Sequence, residues 1–187
     1  MATRVGKYKI TKRESALNLT DGGTINGSLR VTGAIHPANV IVASGSAGAT
    51  GDAFTGIAGT LTEAAHAGRT ILMPDVAENS TLAISTPSRA GIHYHLVYNG
   101  VADDANDMVI SFSDDACYFK GVVTTFDEDL ATAAATAVIP ANGSSNDVLT
   151  IHDPHYYDLH MVSLSTTVMA IWGTIVSDTV AAFSDAD

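Results

Sequence analysis

The sequence predicts an all-β protein, a β-sandwich body of jelly-roll-like form preceded by an extended N-terminal arm. Ala, Thr, Ser, Gly and Val dominate while Lys, Glu and Gln are scarce, a balance that favours strands and turns over helices. Short apolar runs recur at strand length, separated by Gly and Pro, the usual punctuation of a β protein. Ile92–Tyr98 alternates, with Ile92, Tyr94, Leu96 and Tyr98 on one face and His93, His95 and Val97 on the other, as a half-buried strand requires. The chain has 187 residues, 46% hydrophobic and only 16% charged. That is long enough to bury one core and too apolar for a disordered chain.

Met1–Ser15 is a basic lead with weak alternation at Val5, Tyr8 and Ile10, read as an extended arm. Thr20–Ile35 places Ile25, Leu29, Val31 and Ile35 among Gly22, Gly23, Gly27 and Gly33. Such short strands with glycine turns cannot bury an apolar face alone and must lie on the body or on a neighbour. Pro37–Ala43 supplies one more short strand, and Ser44–Asp52, small, polar and glycine-rich, reads as a linker. The expected organisation is therefore an arm over 1–43, a linker over 44–52 and a body over 53–187.

Within the body, Thr60-Leu61-Thr62-Glu63 has the form of a capping box and Gly68 falls where a left-handed C-cap belongs, so a one-turn helix is expected between them. Arg69–Met73, Thr81–Ser85 and Ile92–Tyr98 follow as strands of a meander, separated by Pro74-Asp75, Pro87 and Gly91. Asp107–Phe112 and Cys117–Phe126 are two further strands joined at a Ser113–Asp115 turn. Asp129–Ala137 reads as a loop with one helical turn. Asn142–Asp147 makes a polar turn, and Val148–His152, Leu159–Ser165 and Thr167–Val176 bring the total to about ten strands.

Charge is unevenly placed. Residues 1–30 hold six basic groups against two acids, a net +4, and the rest hold three against eighteen, a net −15, giving −11 overall. An acidic body repels phosphate and anionic lipid, so nucleic-acid and membrane binding by the body are not expected. No apolar core follows the basic N-terminus and no window reaches the length of a membrane helix, so neither a signal peptide nor a span is expected. The single Cys117 stands in an apolar run and reads as a buried core thiol.

Histidine is the one suggestive set of chemical groups. His93 and His95 share a strand face, and His152, His155 and His160 stand close in sequence to Asp153 and Asp158. A lone His-x-His pair offers two ligands where a closed zinc site needs four, so neither a metal nor a cofactor is expected. Asp103–Asp107 lacks the ligand spacing of a calcium loop. Gly45-Ser46-Ala47-Gly48 lacks the spacing of a nucleophile elbow. The protein is accordingly not expected to be an enzyme. Tyr94, Tyr98, Phe112, Phe119, Phe126 and Trp172 are expected in the core, whereas Tyr156 and Tyr157, in a loop after Pro154, are the candidate partner contacts.

The order Leu61, Thr62, Gly68, Ile71, Leu72, Thr81, Leu82, Pro87, Gly91, Tyr94 and Leu96 resembles the decoration (cement or head-fibre-like) proteins of tailed bacteriophages. That resemblance implies a viral structural protein that binds the outer surface of a capsid and stabilises it. It also implies a homotrimer partnered by the major capsid protein, located at the capsid surface of the virion after assembly in the host cytoplasm. Arg4, Lys7, Lys9, Lys12 and Arg13 with Leu29, Val31 and Ile35 are the expected capsid-binding residues, set apart from the body by charge and by the linker. A fibre or spike component that binds a host receptor or glycan stays open as an alternative, as does a small β-sandwich enzyme or carbohydrate-binding module.

Overall fold

The computed structural model describes residues 40–42, 59–76, 78–100, 106–128 and 136–185, all within the compact unit Pro37–Asp187. The expected arm and linker lie outside the described residues except for Val40–Val42, and so do residues 129–135 of the expected loop Asp129–Ala137, whose last two residues, Thr136 and Ala137, are strand instead.

Two sheets form a sandwich, as expected. In chain order the elements are β1 (Val40–Val42), β2 (Thr60–Leu61), α1 (Glu63–His66), β3 (Arg69–Met73), β4 (Ser80–Ile84), β5 (His93–Tyr98) and β6 (Met108–Phe112). They continue with β7 (Tyr118–Asp127), β8 (Thr136–Asn142), β9 (Val148–Ile151), β10 (Pro154–Ser163), β11 (Val168–Ser177) and β12 (Ala182–Ser184). A seven-stranded sheet runs β1-β3-β5-β10-β11-β7-β8, and a five-stranded sheet runs β12-β9-β6-β4-β2.

The meander expected over residues 69–98 is not what forms. β3 and β5 lie side by side and parallel in the larger sheet, while β4 lies in the smaller one between β2 and β6, parallel to both. Odd and even strands thus alternate between layers from β1 to β6, winding as a flattened coil. Pro74-Asp75 and Pro87 mark crossings between layers rather than hairpins. The physical reason is that a parallel neighbour needs a crossover, and here the strand of the opposite sheet provides it. From β7 onward the chain pairs mainly antiparallel, closing both sheets, although β11 runs parallel to β7.

Burial follows the alternation. Tyr94, Leu96 and Tyr98 of β5, Leu159 and Met161 of β10, and Ile171 and Ile175 of β11 face the core, joined from the other sheet by Leu82, Ile84, Met108, Ile110, Leu149 and Ile151. Each such side chain contributes about 1.5–3 kcal/mol on burial. Phe119 of β7 meets Phe112 of β6 at 4.6 Å between ring centroids and Phe183 of β12 at 5.9 Å, tying the two layers together. Cys117 is fully buried in this core, and burial pushes its thiol up to about 12.

α1 is a single turn. Thr62 takes the N-cap backbone conformation without a side-chain cap bond, so the expected capping box does not form. Glu63 bonds Ser88 and Arg89 instead, and the Thr62 amide donates to His66 Nδ1 at 2.9 Å. Gly68 adopts a φ of 75° just past the turn, as the sequence predicts.

Candidate functional site

The outer face of the seven-stranded sheet gathers the protein's most distinctive side chains. β5, β10 and β11 are adjacent there, and their register sets His95 opposite His160 and His160 opposite Trp172. All three point outward because their strand neighbours, Tyr94 and Leu96, Leu159 and Met161, and Ile171, are claimed by the core.

The rings form a row. His95 and His160 stack at 4.0 Å with planes 10° apart, and His160 and Trp172 at 5.4 Å with planes 9° apart. His93, two residues along β5, joins at 6.1 Å from His160. Asp158 lies two residues before His160 on β10, and its Oδ1 is 2.7 Å from His95 Nε2 and 3.4 Å from His160 Nε2. The other nitrogen of His95, Nδ1, sits 3.1 Å from the Thr70 hydroxyl on β3. With Nε2–H donating to Asp158, Nδ1 accepts from Thr70. Burial, then the adjacent His160 and His95, holds the His93 imidazole below its ordinary value, so it is the neutral form that the site favours.

Beside the row opens a shallow groove of about 410 Å³ lined by Tyr156, Asp158, His160, Trp172, Gly173 and Thr174. Farther along the same face, Val122, Phe126 and Val138 are exposed. Register places Val122 against Trp172, Phe126 against Val176 and Val138 against Thr124, so exposed apolar side chains of β11, β7 and β8 share one face with Thr124 and Thr174 among them.

Thr70, His95 and Asp158 have the connectivity of a nucleophile, base and orienting acid. Catalysis of that kind also needs donors for an oxyanion. Thr70 stands in a strand paired on both sides, where backbone amides are committed to the ladders. The buried, protonated thiol of Cys117 is no alternative nucleophile.

Of the residues singled out from sequence, Tyr156 is exposed and lines the groove. Tyr157 is not available to a partner: it is fully buried, its ring 5.5 Å from that of Tyr98. Both lie in β10 rather than in a loop, and strand alternation sends neighbours to opposite faces. Trp172 and Phe126, expected in the core, are exposed at 45% and 40%. An apolar run marks a strand but not which of its faces is wet. Tyr94, Tyr98, Phe112 and Phe119 are buried as expected. The histidines near residue 155 disperse: His152 bonds Asp107, His155 bonds Glu128 with Asp178 nearby, and only His160 reaches His93 and His95. Arg4, Lys7, Lys9, Lys12, Arg13, Leu29, Val31 and Ile35 lie outside the described residues.

Thr70 and the role of Trp172 escaped the sequence reading. The signal for Trp172 was present in its alternation with Ile171. Thr70 carried none, and Asp158, marked only by its closeness to His160 in the sequence, reaches His95 through strand pairing. Comparison of the chain with protein-family models, with curated proteins and with solved structures finds no match.

Proposed function

We propose that this is a non-enzymatic structural protein that decorates a phage capsid, binding its outer surface together with the major capsid protein as a homotrimer. The observation that carries the reading is the exposed apolar face formed by Trp172, Val122, Phe126 and Val138. Large apolar side chains exposed together on one sheet face of a folded body are characteristic of a protein contact. Added support comes from the charge split between a +4 N-terminal segment and a −15 remainder, which favours attachment of the arm to an acidic shell. The sequence likeness to decoration proteins points the same way.

The test uses capsids stripped of this protein. Full-length chain and a version beginning at Pro37, which keeps β1 and removes the expected capsid-binding residues, are mixed with them and co-sedimented at low and high salt. Full-length protein is expected to bind with a partial salt dependence, because exposed charges are screened beyond roughly 8 Å at physiological ionic strength while apolar contacts are not. Absence of co-sedimentation at either salt would sink the reading.

A fibre or spike component that binds a glycan is the second reading. It is favoured by the groove, where Tyr156 and Trp172 flank Asp158: aromatic faces stack on sugar C–H groups and a carboxylate accepts their hydroxyls. A glycan screen with the native chain and Trp172→Ala separates the two, since only the second reading expects saturable binding that the substitution removes.

A further inference from the structure

We propose that His95, His160 and Asp158, with His93 beside them, bind one divalent late-transition-metal ion of the Zn²⁺ class on the outer face of the seven-stranded sheet. This inference stands independently of capsid decoration.

From sequence, His93-x-His95 offers two ligands and no more. Strand pairing supplies the others: β10 brings His160 directly opposite His95 and sets the Asp158 carboxylate within reach of both Nε2 atoms. Among the described residues this is the group in which three such ligand atoms lie within 4.8 Å of one another. Zinc holds nitrogen and oxygen ligands at about 2.0–2.1 Å, so the edge of its tetrahedron is roughly 3.3 Å. The His160 Nε2 to Asp158 Oδ1 separation is 3.4 Å, already that edge. His95 Nε2 is nearer, at 2.7 Å, because a proton rather than a metal now lies between it and the carboxylate. Small side-chain rotations that splay the two stacked imidazoles admit the ion. The donor set, two or three imidazoles and one carboxylate, suits zinc and its neighbours better than calcium or magnesium, which take oxygen.

The surroundings match what a ligating histidine requires. When Nε2 of His95 turns to the metal, the ring's single proton sits on Nδ1, which donates a hydrogen bond to the Thr70 hydroxyl 3.1 Å away. Such an outer partner fixes tautomer and ring orientation. Trp172 holds the plane of His160 from its other side. His93, two residues along β5 with its ring 6.1 Å from that of His160, stands nearest as a fourth group. If a solvent molecule takes that place instead, the open position faces the groove, of which Asp158 and His160 are part of the wall.

Trp172 is the only tryptophan in the chain, so its emission reports directly on the site. The experiment takes untagged full-length protein freed of metal by a chelator. It is titrated with zinc chloride by calorimetry and with copper(II) chloride by tryptophan fluorescence. One ion per chain is expected, with copper quenching Trp172 and chelator restoring it. His95→Gln, His160→Gln and Asp158→Asn should each weaken binding by more than the roughly tenfold expected of Thr70→Val. His152→Gln and His155→Gln should leave it unchanged, with far-ultraviolet circular dichroism confirming that every variant is folded. Two results would overturn the proposal. One is no saturable heat and no change in emission with either metal in large excess. The other is an affinity that survives the His95→Gln/His160→Gln double variant.

Discussion

His160 and Trp172 face one another across the β10–β11 ladder with rings 5.4 Å apart and only 9° from parallel. The pair stands on the wet side of a strand whose other side is core, so the largest side chain of the protein contributes its area to a surface and not to the interior. That placement separates the energetic roles of the aromatic residues.

Trp172→Ala is expected to change stability by less than about 1 kcal/mol, as surface substitutions do. Tyr157→Ala, which empties a fully buried site, should cost about 3–5 kcal/mol. Urea denaturation of the two variants checks the contrast. Iodide should also quench the folded protein's tryptophan emission readily, and shielding comparable to a core indole would contradict the exposed placement.

Ser163 ties two distant segments together. It is buried, its hydroxyl donates to the Arg89 carbonyl at 2.8 Å, and it accepts from the Ile92 amide at 2.8 Å. Ser163→Ala leaves the buried Ile92 amide without this partner, so a loss of about 1–3 kcal/mol is expected. Hydrogen exchange should show the Ile92 amide losing protection, and unchanged protection there would show that the bond is not being made.

Gly173 adopts a φ of 151°, and a Cβ placed on it would stand 2.0 Å from the Asp158 carbonyl oxygen. Gly173→Ala must therefore push β10 and β11 apart beside the His160–Trp172 stack. The expected cost is about 2–4 kcal/mol. A shift of tryptophan emission should accompany it in the folded state, and a variant of wild-type melting temperature with unshifted emission would count against the close approach.

The Cys117 thiol is buried, and that burial raises it from 9.0 to about 12. Alkylation by iodoacetamide in the folded state should stay slow and nearly flat as pH rises past the range in which a free thiol ionises. Denaturant should restore ordinary reactivity. Rapid labelling of the native protein near neutral pH would place the thiol at the surface.

The amino-acid sequence by itself determined the fold class, the position of most described strands and the two faces of Ile92–Tyr98, but it took Thr60-Leu61 for a capping box and did not place β8 over Thr136–Asn142. These rest on local properties: strand propensity, alternation and the breaks imposed by Gly and Pro. It also marked Cys117 as a core thiol, and it was silent on β12, where Ala182–Ser184 is too short to carry a periodic signal. The tertiary structure alone decided which strands are neighbours. Whether β4 pairs with β3 or crosses to the other layer depends on where the apolar faces of the whole chain find cover, and no turn residue encodes that. The same non-local pairing brings Asp158 and His160 to His95, sends His152 and His155 elsewhere, and turns Trp172 outward while Tyr157 goes in. Residues 63 positions apart meet at 2.7 Å because sheet register is a property of the packed sandwich, which conserves buried area over the whole core and not over any one segment.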